Sequence, residues 1–488
     1  MKPFKTLLFT LGVFLLLAGT MWITPEDGVK VGKFTFHMPT FSEMLMNEDV
    51  EYGDLTDIIN QQFEIDSLVD IETDTLQGES VVEVIHRANY DSLVQRIHKL
   101  ELNSTGRENL GRFFYHLQHD SLVRVMHYGD SQIEGDRITA FIRNKLQVRF
   151  GGMGVGLRPA LQPYDYVFSA EQESSDNWKR YPIYGDVDST ILHTRYGVMG
   201  AFSRYAPLVP DTVPFVDSLE FTAELNVSKT DISYLRTREY EQMRLFYGNT
   251  RRPVETVVIA RGDTVLVDSL KANVDYAVLE CELPDSTSSV SLRFSGYDGP
   301  DIYGIELASK TGVIVDNIAL RGSSGIIFTK ADYEHSLKMY NDLKPSLFIL
   351  QFGGNVVPYI DNNAAIRRYG RWFGSQIRRI KQLCPEAAIV VIGPSDMSTK
   401  EKDKYISYPH LPELVNTLRD IALANGAAYW DMFEAMGGYN SMPSWVNADP
   451  ALARPDYVHF SARGARLVAN MFYNALIYEY NTYLEEKI

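Results

Sequence analysis

The chain has 488 residues, 45% of them apolar and 23% charged, which is enough to bury cores in two or three folding units and argues against a disordered or fibrous chain. Its 63 Asp and Glu outnumber 47 Lys and Arg, and the resulting net charge of −16 repels phosphate backbones, arguing against nucleic acid as a partner. Cys281 and Cys384 are the only thiols, so at most one internal disulfide and no thiolate metal cluster can form.

Lys2 and Lys5 precede an uncharged run from Leu7 to Ile23, which reads as an export signal with a cytoplasmic amino end. The bulky Met21-Trp22-Ile23 after Ala18-Gly19-Thr20 makes a poor cleavage site and favours an uncleaved membrane anchor over 1–24. Residues 25–84 read as an acidic stalk: from Glu43 to Glu83 there are thirteen Asp and Glu and no Lys or Arg. Between Ser80 and Leu117 apolar residues recur at helical intervals, interrupted at Asn103-Ser104-Thr105-Gly106, which predicts a helical hairpin.

The run Leu122–Tyr128 predicts a buried strand. Between about Asp165 and Asp301, segments such as SLEFTAEL, ETVVIARGDTVLVDSL and VSLRFSG alternate apolar and polar residues, which predicts a β-sandwich. Within it, Thr256–Ala260 and Thr264–Asp268 read as a hairpin turning at Gly262. After Lys310, short apolar runs (GVIVDNIAL, PSLFILQFG, EAAIVVIGP) are separated by helix-length stretches, the pattern of a parallel sheet covered on both faces. The expected architecture is an α/β domain in two pieces, 85–164 and 311–488, with a β-sandwich inserted at 165–310.

Ligands gather at the carboxyl ends of such strands, so the loops there are the place to look for chemistry. Four stand out: Gly129-Asp130-Ser131-Gln132, Arg321-Gly322-Ser323-Ser324-Gly325, Gln351-Phe352-Gly353-Gly354-Asn355, and Asp456-Tyr457-Val458-His459. Each alone reads as a turn, a helix cap or surface residues. Together they offer a hydroxyl, an untitratable amide donor and a carboxylate three residues from an imidazole, the parts of nucleophilic acyl transfer.

With these four blocks in this order, the sequence resembles the SGNH (GDSL-type) hydrolase superfamily, over about half the chain. The resemblance implies a three-layer parallel sheet flanked by helices, a Ser131 nucleophile, a His459 base and an Asp456 that orients it. It also implies an oxyanion hole of the Ser131 amide, the Asn355 side chain and a second-loop glycine. Gly325 follows Ser324 as in the family's usual S-G pair; Gly322 is the reserve. No metal or cofactor is implied.

The string HYGDSQIEGDRIT and the glycine-rich Phe150–Gly156 resemble the exported branch that includes bacterial peptidoglycan O-acetylesterases, whose members carry a carbohydrate-binding-module-like β insert. Gln132 departs from it, since histidine is common at that position. The implied activity is removal of O-acetyl groups from a cell-wall or surface glycan, peptidoglycan favoured, at the periplasmic face of the inner membrane, or secreted if the signal is cleaved. Two alternatives stay open: an O-acetyltransferase with a membrane-bound O-acyltransferase as its partner, and a non-catalytic glycan-binding protein.

Among other residues, Tyr164, Tyr166, Trp178, Tyr181 and Tyr184 could form a sugar-stacking platform, although core packing is the commoner fate of aromatics at this density. Arg137 could clamp a substrate carboxylate or pair with Asp136 or Glu134. His127 should point into packing, and the two cysteines should be buried and unpaired.

Overall fold

The computed structural model describes residues 3–23, 29–31, 34–36, 50, 52, 53, 55, 58, 97–208 and 219–487. The chain divides into two compact units, Met1–Glu51 and Tyr52–Ile488. Most of the expected acidic stalk and the first half of the expected helical hairpin lie outside the described residues.

In the first unit, helix α1 (Pro3–Ile23) precedes a short antiparallel hairpin, β1 (Val29–Val31) with β2 (Phe34–Phe36). Among the described residues, no helix is long and apolar enough to cross a membrane, so the expected anchor is not shown. Lys5 falls inside α1, which leaves an uncharged stretch at the short edge of a bilayer's thickness.

The second unit begins with α2 (Ser104–His119), where Asn103 caps the helix by accepting from the Gly106 amide at 2.7 Å. Strand β3 (Leu122–Gly129), α3 (Thr139–Phe150) and β4 (Gly154–Arg158) follow. Next come β5 (Ala170–Ser174), β6 (Lys179–Pro182), β7 (Ala201–Arg204), β8 (Phe221–Lys229), β9 (Tyr240–Gly248), β10 (Val254–Ala260), β11 (Asp263–Leu270), β12 (Ala277–Thr287), β13 (Ser289–Gly296) and β14 (Asp301–Ala308). The chain then alternates: β15 (Gly312–Ala319), α4 (Tyr333–Leu343), β16 (Pro345–Gln351), α5 (Asn363–Leu383), β17 (Ala388–Ile392), hairpin β18 (Ser398–Glu401) and β19 (Lys404–Ser407), α6 (Leu411–Ala424), β20 (Ala428–Trp430), α7 (Met432–Ala435), α8 (Ser441–Asn447) and α9 (Ala462–Glu485).

Strands β15-β3-β16-β17-β20 form one sheet, parallel at every pairing, with β3 bonded to both β15 and β16. Alternation along each strand sends side chains to opposite faces. Met126, Tyr128, Phe348 and Leu350 pack against α4, α5 and α6, whereas Val123, Val125, Leu347 and Ile349 pack against α2, α3 and α9. Both faces are therefore covered, which is why these strands read as continuous apolar runs.

The strands between β3 and β15 make two antiparallel sheets, β11-β10-β13-β8-β5 and β12-β9-β14-β7-β6, whose facing sides share a core around Leu225, Leu245, Val258, Leu292 and Ile305. The expected hairpin is β10–β11, and both turn residues, Arg261 and Gly262, take positive φ. One boundary differs from the expectation: β4, expected on the catalytic side, pairs antiparallel with β14. The glycine run ahead of it has a steric cause, since a Cβ at Gly152 would meet Val313 and one at Gly154 would meet Leu307, each at 2.5 Å.

Buried charges join these antiparallel strands to the parallel sheet. Arg124 on β3 pairs with Asp316 on β15 (2.8 Å) and with Glu306 on β14. Asp316 also accepts from the Leu157 amide of β4 at 2.8 Å.

Candidate active site

The four loops meet at one edge of the parallel sheet. Glycine at 129 lets β3 turn sharply, because a Cβ there would press on Ile133 at 2.9 Å and on the Gln351 carbonyl at 3.1 Å. The Asp130 amide donates to that same carbonyl at 3.3 Å, which ties the first loop to the end of β16. Ser131 Oγ stands 2.8 Å from His459 Nε2, and His459 Nδ1 stands 3.0 Å from Asp456 Oδ2. The hydroxyl, imidazole and carboxylate expected from the sequence are therefore in hydrogen-bonding contact, although 328 residues separate Ser131 from His459.

The imidazole is held by its own loop. Asp456 Oδ1 accepts from the Val458 and His459 amides, both at 2.9 Å, so the carboxylate braces the turn as well as the ring. Partial burial pushes the Asp456 carboxyl up, but the backbone and ring hydrogen bonds from His459 outweigh it and hold the group below its ordinary value. Tyr457, between the two, takes φ +57° and stacks on Tyr405 of β19 with ring centroids 3.6 Å apart. Its carbonyl accepts from the Ser398 amide of β18 at 3.0 Å, so the β18–β19 hairpin backs the loop.

Oxyanion donors come from the first three loops. Among the described residues, no acceptor is bonded to the Ser131 amide. Asn355 spends one Nδ2 proton on the Ser323 carbonyl at 3.1 Å, which fixes the amide and leaves a second proton to donate. The Gly325 amide donates to Ser323 Oγ at 3.1 Å, so it reaches an oxyanion only when that hydroxyl turns away. Gly325 has φ +78°, and a Cβ there would lie 2.7 Å from the Phe352 ring, so only glycine fits. Gly322, the reserve, is exposed, with nothing within 4 Å of its Cβ direction.

Three neighbours acquire roles that sequence spacing did not reveal. The Gln132 side chain donates to the Val458 carbonyl at 2.7 Å and contacts Ser395 Oγ at 3.4 Å, linking the nucleophile's loop to the histidine's. Arg137 holds the Ser131 carbonyl and, at 2.9 Å, the Glu134 carbonyl; the expected pairing with the Asp136 or Glu134 side chain is replaced by backbone contacts. Asp136 pairs instead with Arg143 at 2.5 Å. Asp130 is buried, and desolvation lifts its carboxyl to about 6 against the opposing hydrogen bond from the Gln132 amide.

Other expectations resolve plainly. His127 is buried between Gln351 and Thr139, and desolvation lowers its pKa to about 4. Cys281 and Cys384 are both buried and free. The five aromatics do not form one platform: Trp178 and Tyr181 are buried in different cores, Tyr164 and Tyr184 are half-buried, and only Tyr166 is well exposed.

Residues 285–467 match the GDSL-like Lipase/Acylhydrolase family. The chain carries an acylhydrolase domain of that family. The matched span holds Gly325, Asn355, Asp456 and His459, while Ser131 lies ahead of it and joins them through β3. The domain is thereby a carboxylic ester hydrolase domain.

The solved structures that resemble the chain include the following two. One is a peptidoglycan O-acetylesterase captured in action, 20% identical, covering 78% of this chain and 99% of its own, with a TM-score of 0.59. The other is Axe2, an acetylxylan esterase from Geobacillus stearothermophilus, 20% identical, covering 34% of this chain and 74% of its own, with a TM-score of 0.27. The first likeness shows the fold. None of the curated proteins compared matches the chain.

Proposed function

We propose that the protein is a serine esterase that removes O-acetyl groups from a cell-wall or surface glycan, with peptidoglycan the favoured substrate. The observation that carries this reading is the relay from Ser131 through His459 to Asp456, at 2.8 and 3.0 Å, set at the carboxyl edge of a parallel sheet. The acylhydrolase match supports the reaction class. A fold shared with a peptidoglycan O-acetylesterase supports the choice of glycan.

Chemistry follows from the geometry. With its Nδ1 proton donated to Asp456, His459 presents an unprotonated Nε2 to the Ser131 hydroxyl and removes its proton as the oxygen attacks the ester carbonyl. Negative charge on the carbonyl oxygen is met by the Ser131 amide, the free Asn355 proton and the Gly325 amide once Ser323 Oγ releases it. The imidazolium, stabilised by Asp456, protonates the departing sugar oxygen, which leaves as a hydroxyl. Water activated by the same imidazole then cleaves the acetyl-serine and regenerates the enzyme. The two antiparallel sheets would hold the polymer while this edge works on it.

Export is part of the proposal. The α1 segment, with its apolar run behind Lys2 and Lys5, has the composition of a signal, and the acetylated glycan lies outside the cytoplasm. A membrane-bound O-acyltransferase partner finds no support among the described residues. The test is acetate release from acetylated peptidoglycan and from acetylated xylan by the purified protein. Release from the first and not the second supports peptidoglycan; transfer of the acetyl group to an added glycan acceptor without free acetate overturns hydrolysis.

A further inference from the structure

A second polar site lies behind the nucleophile's turn. The parallel sheet and the antiparallel strands enclose a cavity of about 40 Å³, lined by Asp136 from the turn, Arg143 from α3, Asn317 from β15, Arg158 from β4 and Arg180 from β6. This volume admits a small ionised group or a water or two, and no sugar ring. The lining residues Pro163 and Tyr164 are exposed and half-buried, so the cavity reaches solvent.

Its charges do not cancel. Asp136 is fully engaged: it pairs with Arg143 at 2.5 Å, accepts from Asn317 Nδ2 at 2.9 Å and accepts from the Ser169 hydroxyl. That leaves Arg158, which is 5% exposed. Its Nε donates to the neutral Gln172 Oε1 at 3.1 Å, and its Nη2 is buried without a partner. Arg180 donates to Tyr184 Oη at 3.1 Å, and its Nε is likewise buried without a partner. Among the described residues, neither guanidinium forms an ion pair; Asp136 faces Arg158 from beyond ion-pair distance, and its attraction does not offset the desolvation that lowers the Arg158 pKa. A buried cation with no counterion is costly to keep, whereas a planar guanidinium matches a carboxylate's two oxygens.

We propose that this cavity binds an ionised carboxylate carried by an acidic sugar of the glycan, held between Arg158 and Arg180 beside the loop that bears Ser131. The carboxylate replaces the missing counterion, and the sugar ring stays outside, against Tyr164 and Pro163. The anion site stands on the unpaired arginines; only the choice of a sugar as its bearer rests on the esterase reading.

Binding is measured on the full chain carrying Ser131→Ala, so that no hydrolysis intrudes, by calorimetry and by thermal shift with glucuronate, glucose and acetate. Glucuronate is expected to bind at least tenfold more tightly than glucose and to raise Tm. Arg158→Gln should abolish that binding and Arg180→Gln should weaken it at least tenfold, each with an unchanged circular dichroism spectrum. Arg180 is half-buried at the rim, so its variant carries the test should Arg158→Gln fail to fold. Equal binding of glucuronate and glucose, or tight glucuronate binding by the arginine variants, overturns the site. Acetate binding as tight as glucuronate binding overturns the acidic sugar and leaves a site for small free carboxylates. Esterase activity of wild type on a neutral acetyl ester is measured separately, so failure of either reading is seen without the other.

Discussion

The loop edge of the parallel sheet and the seam between that sheet and the antiparallel strands both contain charged groups, but the two are built differently. At the seam, Arg124, Glu306 and Asp316 are no more than 2% exposed, and the two carboxylates are balanced by Arg124 together with Arg244, which reaches Glu306 at 3.6 Å. At the edge, the Asp456 and His459 side chains are 46% and 28% exposed, and each is held by a single turn of chain. Burial therefore marks the structural pairs, whereas the reactive groups remain within reach of solvent and substrate. Interactions at the seam need each other to stay folded; those at the edge need each other to react.

Substitutions should separate the two. At the edge, His459→Ala should lower kcat by about 10⁶-fold, as for removal of a general base from such a relay, with thermal stability unchanged. Asp456→Asn should cost about 10⁴-fold, because the ring loses its tautomer while the oxyanion donors remain. A fall in Tm comparable with that of a core variant, in either case, would place these residues with the seam.

Arg124→Met should do the reverse. It leaves Asp316 buried without an ion-pair partner and Glu306 with Arg244 alone, for a loss of about 3–5 kcal/mol in denaturant unfolding, while the protein that remains folded keeps its kcat. Asn355→Ala removes one oxyanion donor and should lower kcat by about 10²- to 10³-fold with little change in KM. An equal effect from Gly322→Ala would contradict the assignment of the second loop's role to Gly325.

The smallest effect is on stability against pH, and it probes a carboxylate outside both regions. Asp396 is buried and accepts from Ser407 Oγ and the Met442 amide, at 2.5 and 2.7 Å; desolvation exceeds these bonds and lifts its pKa to about 6. An unfolded aspartate releases its proton near 3.9, so between roughly pH 4 and 6 the folded chain binds the extra proton. Its contribution to stability is whole below about pH 4 and is lost as pH rises through about 6. Relative to Asp396→Asn, wild type should lose up to about 3 kcal/mol over that interval. A gap that does not vary with pH would show that Asp396 is ionised throughout.

The edge was far more legible than the seam. Ser131, Asn355, Asp456 and His459 sit in turns whose glycines and short spacings are local features, so their neighbourhood is written in adjacent residues. Strand faces were legible for the same reason, since period-two alternation is local. What escaped depends on distant partners. Gln132 was visible only as a departure from a motif until Val458, 326 residues away, came within 2.7 Å. Trp178 and Tyr181 are buried, the commoner fate for such aromatics, but alternation does not say that they enter different cores. Arg158 closed an ordinary strand, and nothing near it in sequence indicates that its Nη2 lacks a partner.

The relay centred on Ser131 is tested most directly by trapping its covalent product. The purified protein is mixed with an activated acetyl ester, quenched in acid and digested, and the peptide containing residue 131 is weighed. Acetyl mass on Ser131 in wild type, accumulating further in Asp456→Asn and missing from Ser131→Ala, is the predicted result. Acetate release without acetyl mass on that peptide, or release that survives Ser131→Ala, would contradict the account.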